Sequence, residues 1–378
     1  MKARTEELLN RTLKYAEERD FKGWDPYDAL NSPILRTVAF HPYMRIAFIQ
    51  AFKRSPVNLR PFFLVPKGHN PKGLGLFLST YAHRKDKEKY DYVKNLLKKY
   101  ASRGYSGYAW GYNFPWQSRV FYVPPFTPTV VNTSFIGHAL LDGFELLGDE
   151  EGLDMAYSAT RFILNDLNVR HENDYIIFSY TPIDELKVLN ASLLGASLLA
   201  RVGRLKGDKN LMEMARRGGL FAVRTQNPNG SWYYGLGSPS MKYIDNFHTA
   251  FNILSLIEIL KATGDEEIER SLNKGIRYWE ETFFTETMLP KYFHNRLHPI
   301  DIHSYATAIV LFSRLGKLDR AHQLIERAKE RMFDEKEGYW YFQEYRHFKI
   351  KIPYMRWSIS WMAYALTNFL YRLNPKTN

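Results

Sequence analysis

The sequence contains no cysteine, so a disulfide, a thiolate metal site and a cysteine nucleophile are excluded. It also has no apolar run near the ~20 residues of a membrane-spanning helix, and we expect no integral membrane segment. The N-terminal stretch MKARTEELLNRTLKYAEERD is a charged amphipathic pattern without the apolar core of a signal peptide. We therefore expect a soluble, cytoplasmic protein.

Signatures of nucleotide chemistry are missing as well. Gly68 and Gly73 have the spacing of a phosphate loop, but Leu74 follows where that loop has Lys and Ser or Thr. The nucleophile pattern Gly-x-Ser-x-Gly does not occur.

His294, His298 and His303 lie close together with Asp301, but Pro299 interrupts the helical spacing that a compact ligand set needs. We predict no cofactor and no metal.

The net charge is +12, which would suit an anionic partner such as a nucleic acid, a membrane surface or an acidic sugar. The basic residues are spread over 85–99, 201–209 and 314–331 and form no single stripe, so we predict no nucleic-acid partner. A surface rich in Lys and Arg is also typical of thermophiles. The oligomeric state is left open.

Prolines mark an internal repeat. They precede apolar helical segments at intervals of 54 to 60 residues, at Pro71, Pro128, Pro182, Pro239, Pro299 and Pro353. More charged amphipathic helices are predicted between these segments, at 34–53, 87–102, 149–166, 208–225, 265–282 and 318–332. Glycine turns such as Leu147-Gly148-Asp149 join apolar to charged helices, which indicates antiparallel hairpins.

Six such hairpins predict an all-α fold, an (α/α)6 toroid, with short β-strands in the long connections. An open solenoid is the alternative. We predict one domain over residues 1–378, in which 1–30 form an N-terminal helix and a lead-in loop. This pattern resembles the six-hairpin glycosidase-like superfamily and, in fold only, the terpenoid cyclase and prenyltransferase toroids. The DxDD and DDxxD carboxylate clusters of the terpenoid enzymes are absent.

The C-terminal stretch RHFKIKIPYMRWSISWMAYALTNFL, residues 346–370, carries a narrower resemblance. It is similar to the C-terminal helical segment of glucuronyl C5-epimerases, in which an Arg-Trp pair precedes a helix. The β-rich domain that accompanies that family is missing from this chain. This resemblance implies chemistry on a uronate.

In a toroid the long loops open at one end, so the first turns of the inner helices are expected to carry the site. Glycosidic cleavage needs two carboxylates, and Asp245, Asp184 and Asp301 come from three successive repeats. Thr181-Pro182-Ile183-Asp184 is also typical of a helix N-terminus, with Asp184 in a capping role. Proton abstraction would instead use a His or Tyr. For that chemistry we name His303, His248 and Tyr234.

Aromatic residues make up 16% of the chain and are concentrated in the connection 110–135. Trp and Tyr rings stack on sugar faces, while amides and Arg bind hydroxyl and carboxylate groups. The predicted substrate-binding residues are Tyr112, Trp116, Gln117, Arg119, Asn132, Asn190, Trp232, Asn246, Tyr292, Arg356 and Trp357.

The leading hypothesis is an enzyme that cleaves glycosidic bonds of an oligo- or polysaccharide with some acidic character. The first alternative is a polysaccharide lyase or C5-epimerase acting on a uronate. The second is a non-catalytic toroid that binds a glycan or an isoprenoid.

Overall fold

The computed structural model describes residues 1–117 and 122–373. Helices dominate this part of the chain. In chain order they are α1 (Lys2–Glu17), α2 (Pro33–Val38), α3 (Pro42–Arg54), α4 (Pro71–Arg84), α5 (Lys87–Lys99), α6 (Val130–Leu147), α7 (Glu150–Asn165), α8 (Leu189–Lys206), α9 (Lys209–Thr225), α10 (Asn246–Thr263), α11 (Glu266–Thr282), α12 (Ile302–Arg314), α13 (Leu318–Met332) and α14 (Trp361–Leu373). A 3-10 turn at Asp28–Asn31, another at Pro239–Met241 and a π turn at Met355–Ser360 complete them.

The strands are short and lie in the connections. They are β1 (Trp116–Gln117), β2 (Tyr122–Val123), β3 (Val169–His171), β4 (Ile176–Phe178), β5 (Lys187–Val188), β6 (Gly235–Leu236), β7 (Ile300–Asp301), β8 (Gln343–Glu344) and β9 (Lys349–Ile350). All pairs are antiparallel: β1 with β2, β3 with β4, β5 with β6, and β8 between β7 and β9.

The chain divides into two compact units. The first takes in the described parts of Met1–Tyr100, Gly111–Thr127 and His298–Asn378, and the second takes in Ala101–Trp110 and Pro128–Leu297. In the second unit α6 pairs with α7, α8 with α9 and α10 with α11, while α8 packs between α6 and α10. In the first unit α4 pairs with α5 and α12 with α13, while α14 packs between α12 and α4 and also against α1. The prediction of a single domain stays a prediction.

The inner helices, which are the apolar ones that follow the repeat prolines, differ in burial from the more charged outer helices, as expected. Residues 189–203 of α8 and 302–313 of α12 are buried without interruption, so these helices are covered on all sides. The outer α11 buries only one stripe, and three acidic residues stand in its first turn. No helix in the described part of the chain is both long enough and apolar enough to cross a bilayer.

One backbone contact recurs at the starts of the inner helices. The first N–H of α6 donates to the carbonyl of Tyr180 at 3.0 Å, and those of α8 and α10 donate to Tyr234 and Tyr292 at 3.0 and 2.9 Å. The first unit repeats this with Ile302 to Phe342 at 3.1 Å and Met355 to Trp24 at 3.2 Å. Each acceptor is an aromatic residue. The contact satisfies a donor that has no partner within the helix, whereas α4 begins with Pro71, which has no N–H.

The predicted helices are largely confirmed, with two corrections. Four of the outer helices agree within one residue at each end, and α5 ends three residues before its predicted end. The predicted helix 34–53 is divided into α2 and α3 by the extended residues around Phe40. The segment expected to be helical from Asp184 begins only at Leu189, because residues 180–186 form a turn and β5 follows it. Gly148 ends α6 with a φ of 71°, as its position predicted.

Candidate active site

The start of α10 holds an aspartate–histidine pair. Asp245 precedes the helix and accepts the N–H of His248 at 2.9 Å, while its second oxygen lies 2.7 Å from His248 Nδ1. Asp245 is buried, whereas the His248 side chain keeps 21% of its surface exposed. A buried carboxylate on one ring nitrogen fixes the orientation of the imidazole and directs the other nitrogen outward. This arrangement suits an imidazole that takes up and releases a proton.

Aromatic rings surround this pair. The Tyr234 ring lies 4.7 Å from the His248 ring and is stacked on Tyr243 at 4.9 Å. On the opposite side Phe247 contacts both His248, at 4.2 Å, and Tyr292, at 5.5 Å. Tyr234, Tyr243 and Tyr292 are each partly exposed, so the rings form an accessible wall beside the imidazole. Such a wall can stack on a sugar face.

Amide side chains stand at the first turns of the neighbouring inner helices. Asn246 is occupied, because its oxygen accepts the indole N–H of Trp279 at 2.8 Å and its nitrogen donates to the Lys291 carbonyl at 3.1 Å. Asn132 and Asn190 are buried, and within residues 1–117 and 122–373 neither the amide of Asn132 nor the oxygen of Asn190 has a hydrogen-bond partner. Buried amides without partners are unfavourable, so these two fit a role in binding a ligand.

Two other predicted residues of the second unit, Asp184 and Trp232, form hydrogen bonds with the protein backbone. The carboxylate of Asp184 accepts the N–H groups of Tyr180, Thr181 and Leu186 at 3.2, 2.7 and 2.9 Å. Asp184 therefore caps a turn, which is close to the capping alternative, although no helix begins there. Trp232 is buried and donates its indole N–H to the Ala222 carbonyl at 3.0 Å. Trp232 packs in the core, and its contact with substrate stays a prediction.

The first unit contains a buried cluster of ion pairs. The guanidinium of Arg356 donates twice to Asp25, at 2.5 and 2.8 Å. Arg60 donates to Asp28 at 2.7 Å and to the Tyr354 hydroxyl at 2.9 Å, and its third bond reaches the Asp25 carbonyl at 2.6 Å. All five side chains are buried. Burial raises the pKa of Asp28 to about 6 in spite of Arg60.

Lys72, in the first turn of α4, adds another cation to this cluster. It is buried, and its ammonium lies 5.5 Å from the centre of the Trp361 ring. Burial, followed by the charge of Arg356, lowers the pKa of Lys72 well below its ordinary value. Asp25 acts in the opposite direction but is already bonded to Arg356. Lys72 is therefore a basic group whose charged form is disfavoured at this buried position.

Asp301 and His303 lie at the start of α12. Asp301 is fully buried and accepts from Gln343 Nε2 at 2.6 Å, Trp357 Nε1 at 2.9 Å and the His303 N–H at 2.8 Å. Burial raises the pKa of Asp301. The His303 ring lies between Trp357, at 4.3 Å, and Trp361, at 4.5 Å. Asp301 and His303 therefore both lie in the interior of the first unit.

The predicted residues of the aromatic-rich connection 110–135 lie in two different environments. Tyr112 is partly exposed, and its ring lies 5.2 Å from the Arg356 guanidinium. Trp116 packs on the small core formed by α2, α3 and the turn before them, and Gln117 accepts from Arg45 at 3.4 Å. The predicted residue Arg119 lies outside the described residues.

Sequence reasoning missed Asp25, Asp28, Arg60 and Lys72. Asp25 and Arg356 are separated by 331 positions, and no local pattern connects them. A weak signal existed: Lys72 directly follows the proline that marks the first repeat. Throughout residues 1–117 and 122–373, no three His, Asp, Glu or Cys side chains are grouped so that they could hold a metal ion.

Neither a protein-family model nor a curated protein matches the sequence. Solved structures do match in fold. A cellobiose 2-epimerase from Bacillus thermoamylovorans is 13% identical with a TM-score of 0.63, over 82% of this chain and 89% of that chain. An alpha-mannanase of glycoside hydrolase family 76 from Bacteroides thetaiotaomicron is 14% identical with a TM-score of 0.57, over 82% and 87%. An alpha-amylase from Clostridium perfringens is 12% identical with a TM-score of 0.57, over 80% and 87%.

This likeness confirms the predicted all-α (α/α)6 toroid fold. At these identities it concerns the fold, and function has to be argued from the site.

Proposed function

We propose that this protein is a carbohydrate-active enzyme that moves a proton at a sugar carbon next to a carbonyl or carboxylate group, as an epimerase does. The observation that carries this proposal is the 2.7 Å contact between Asp245 and His248 Nδ1, with the imidazole partly exposed beside tyrosine rings. A cellobiose 2-epimerase has the same fold, and the chemistry given by its name supports the same choice.

In this proposal His248 acts through Nε2 as the base that removes the carbon-bound proton. Asp245 is a positioning residue, because its carboxylate holds Nδ1–H and stabilises the imidazolium that forms. Tyr234, 4.7 Å away ring to ring, is the hydroxyl-bearing side chain proposed to return a proton. Asn132 and Asn190 are proposed to bind sugar hydroxyls, and Tyr243 and Tyr292 to line the sugar face.

Hydrolysis of glycosidic bonds stays a prediction with weaker support. It needs one carboxylic acid and one carboxylate on either side of the bond. Asp184 holds a turn, Asp301 is fully buried with three donors, and Asp245 is engaged by His248. Because a mannanase and an amylase share this fold, hydrolysis is kept as an outcome that the assay must detect.

The test is proton exchange with solvent. The protein is incubated in D2O with cellobiose, with cello- and manno-oligosaccharides and with uronate oligosaccharides, and NMR follows deuterium at the carbon next to the carbonyl or carboxylate. We expect exchange in the wild type and a loss of about 10²- to 10⁴-fold in His248→Asn. Asp245→Asn should lower kcat and leave KM within about twofold, since the neutral amide removes the negative charge that stabilises the imidazolium and cannot accept both the His248 N–H and Nδ1–H through separate oxygens.

His171→Asn is the matched control, because His171 is an exposed histidine of β3. It should exchange like the wild type. New reducing ends without deuterium incorporation would favour hydrolysis. Ultraviolet absorbance of an unsaturated uronate would indicate a lyase, and binding of a glycan with no chemical change would favour the non-catalytic alternative.

A further inference from the structure

The segment between Asp28 and Asp86 contains no acidic residue. It carries nine Lys and Arg residues over 57 positions, in a chain that otherwise mixes both charges along its helices. Most of the surface that these positions form belongs to α2, α3 and the turn at 56–64. A stretch of this length without acidic residues indicates a surface that binds a negatively charged partner.

The same segment exposes apolar side chains to an unusual degree. Of the thirteen exposed large apolar residues in the described chain, seven lie between positions 34 and 64. Phe40, Tyr43 and Phe62 are the most exposed, at 78%, 77% and 73%. Clustered exposure of this kind marks an interaction surface, whereas single exposed apolar residues do not.

These side chains are not needed for the local core. Leu35 of α2 and Ala39 directly after it are buried in that core, while Ile34 and Val38 are exposed. The end of the turn at 56–64 shows the same alternation, because Leu64 is exposed and the next residue, Val65, is buried. Leu64 also has a φ of 54°, a left-handed conformation that a branched residue rarely adopts.

The exposed residues are arranged side by side. Ile34 and Val38 are one turn apart on the same face of α2. The Ser32 hydroxyl donates to the Phe63 carbonyl at 2.6 Å, which places Phe62 and Leu64 at the beginning of α2. Phe40 and Tyr43 follow at its other end. We call Ile34, Val38, Phe40, Tyr43, Phe62 and Leu64 the acid-free face.

Exposed basic side chains lie on the same segment. Arg36 lies on α2 itself, Arg54 ends α3, and Lys67 follows the turn; all three are exposed. Within the described chain none of the three has a carboxylate partner within salt-bridge distance. Their charges are therefore available to an external anion.

We propose that the acid-free face docks on an anionic lipid surface, with its aromatic residues inserted at the level of the headgroups. Apolar insertion combined with nearby Lys and Arg is the combination that gives interfacial binding to membranes. A second copy of this chain fits less well, because a two-fold contact would bring the same acid-free, basic surfaces against each other. The proposal is independent of the function proposed for His248.

The experiment is co-sedimentation of the full chain with vesicles, at about 100 mM salt. One set is phosphatidylcholine alone, and the other contains phosphatidylglycerol as well. We expect binding to the anionic set only. Phe40→Ser/Phe62→Ser should weaken it by at least about tenfold, and Arg36→Gln/Arg54→Gln should weaken it about tenfold and lower its salt dependence. Phe348→Ser, an exposed Phe outside this face, is the control and should bind like the wild type.

Circular dichroism checks that each variant is folded. The proposal is overturned if the wild type does not bind anionic vesicles, or if it binds and the Phe40→Ser/Phe62→Ser variant binds equally, since net charge alone would then explain binding. Concentration-dependent dimerisation in sedimentation velocity that the same variant abolishes, without vesicle binding, would assign the face to a second copy and also overturn the proposal.

Discussion

Replacing Arg356 by Met tests how strongly the buried ion pairs stabilise the first unit. Arg356 and Asp25 are both buried and share two hydrogen bonds, so the substitution leaves a carboxylate in the interior without its main partner. Removing one partner of such a pair costs about 3–5 kcal/mol. Lys72 also interacts with Asp25 and offsets part of this loss, so we expect about 3 kcal/mol.

The second substitution in the same pair should restore stability. In Arg356→Met/Asp25→Asn both charges of the pair are removed together, and the amide oxygen still accepts the N–H of Tyr27, a 3.1 Å bond in the wild type. We expect the double variant to be more stable than Arg356→Met alone by about 1–3 kcal/mol. Urea unfolding followed by far-UV circular dichroism gives the transition midpoints. A double variant less stable than Arg356→Met, or a single variant within about 1 kcal/mol of the wild type, would refute the reasoning.

Two further predictions concern the interior of each unit. Because the pKa of Lys72 is lowered in the folded state, the cost of its buried charge is present at neutral pH and decreases as pH rises towards its unfolded pKa. Lys72→Met should therefore gain about 1–4 kcal/mol at pH 7 and less at pH 10, by urea midpoints; a loss at pH 7 would contradict this. In the second unit a Cβ on Gly275 would lie 2.1 Å from Trp232 Cη2, so Gly275→Ala should cost about 1–3 kcal/mol. Trp232→Phe in the same chain should recover part of it, and thermal unfolding measures both.

Helical organisation was predictable from the sequence because it depends on local patterns. Apolar spacing, glycine turns and the proline interval identified the hairpins, and the inner helices begin 56 to 59 residues apart in the structure. The exceptions have local causes. Asp184 resembles a helix N-terminus in sequence, but three N–H groups of its own turn occupy its carboxylate before a strand begins.

The site was predictable only where it coincides with an inner-helix start. Asp245 and His248 are three positions apart, so a helical start brings them together. Arg356 was named from its Arg-Trp pair, but its partner Asp25 comes from the other end of the sequence and depends on tertiary packing. Trp232 occupies a loop position next to tyrosines, which suggests a binding wall, whereas Gly275 provides the space in which its ring is buried. Its contact with substrate stays a prediction.

The recurring N–H contact with an aromatic carbonyl has a consequence for how this chain can be rearranged. At each inner-helix start that shows this contact, the accepting carbonyl comes from another repeat. For Met355 it is the carbonyl of Trp24, near the beginning of the chain. Deleting the first thirty residues would leave this donor exposed and would also remove α1 from α14. A circular permutant that joins the two termini and opens the turn at Gly207 would keep every one of these contacts. The molecule should tolerate such a new chain order better than the loss of a terminal segment.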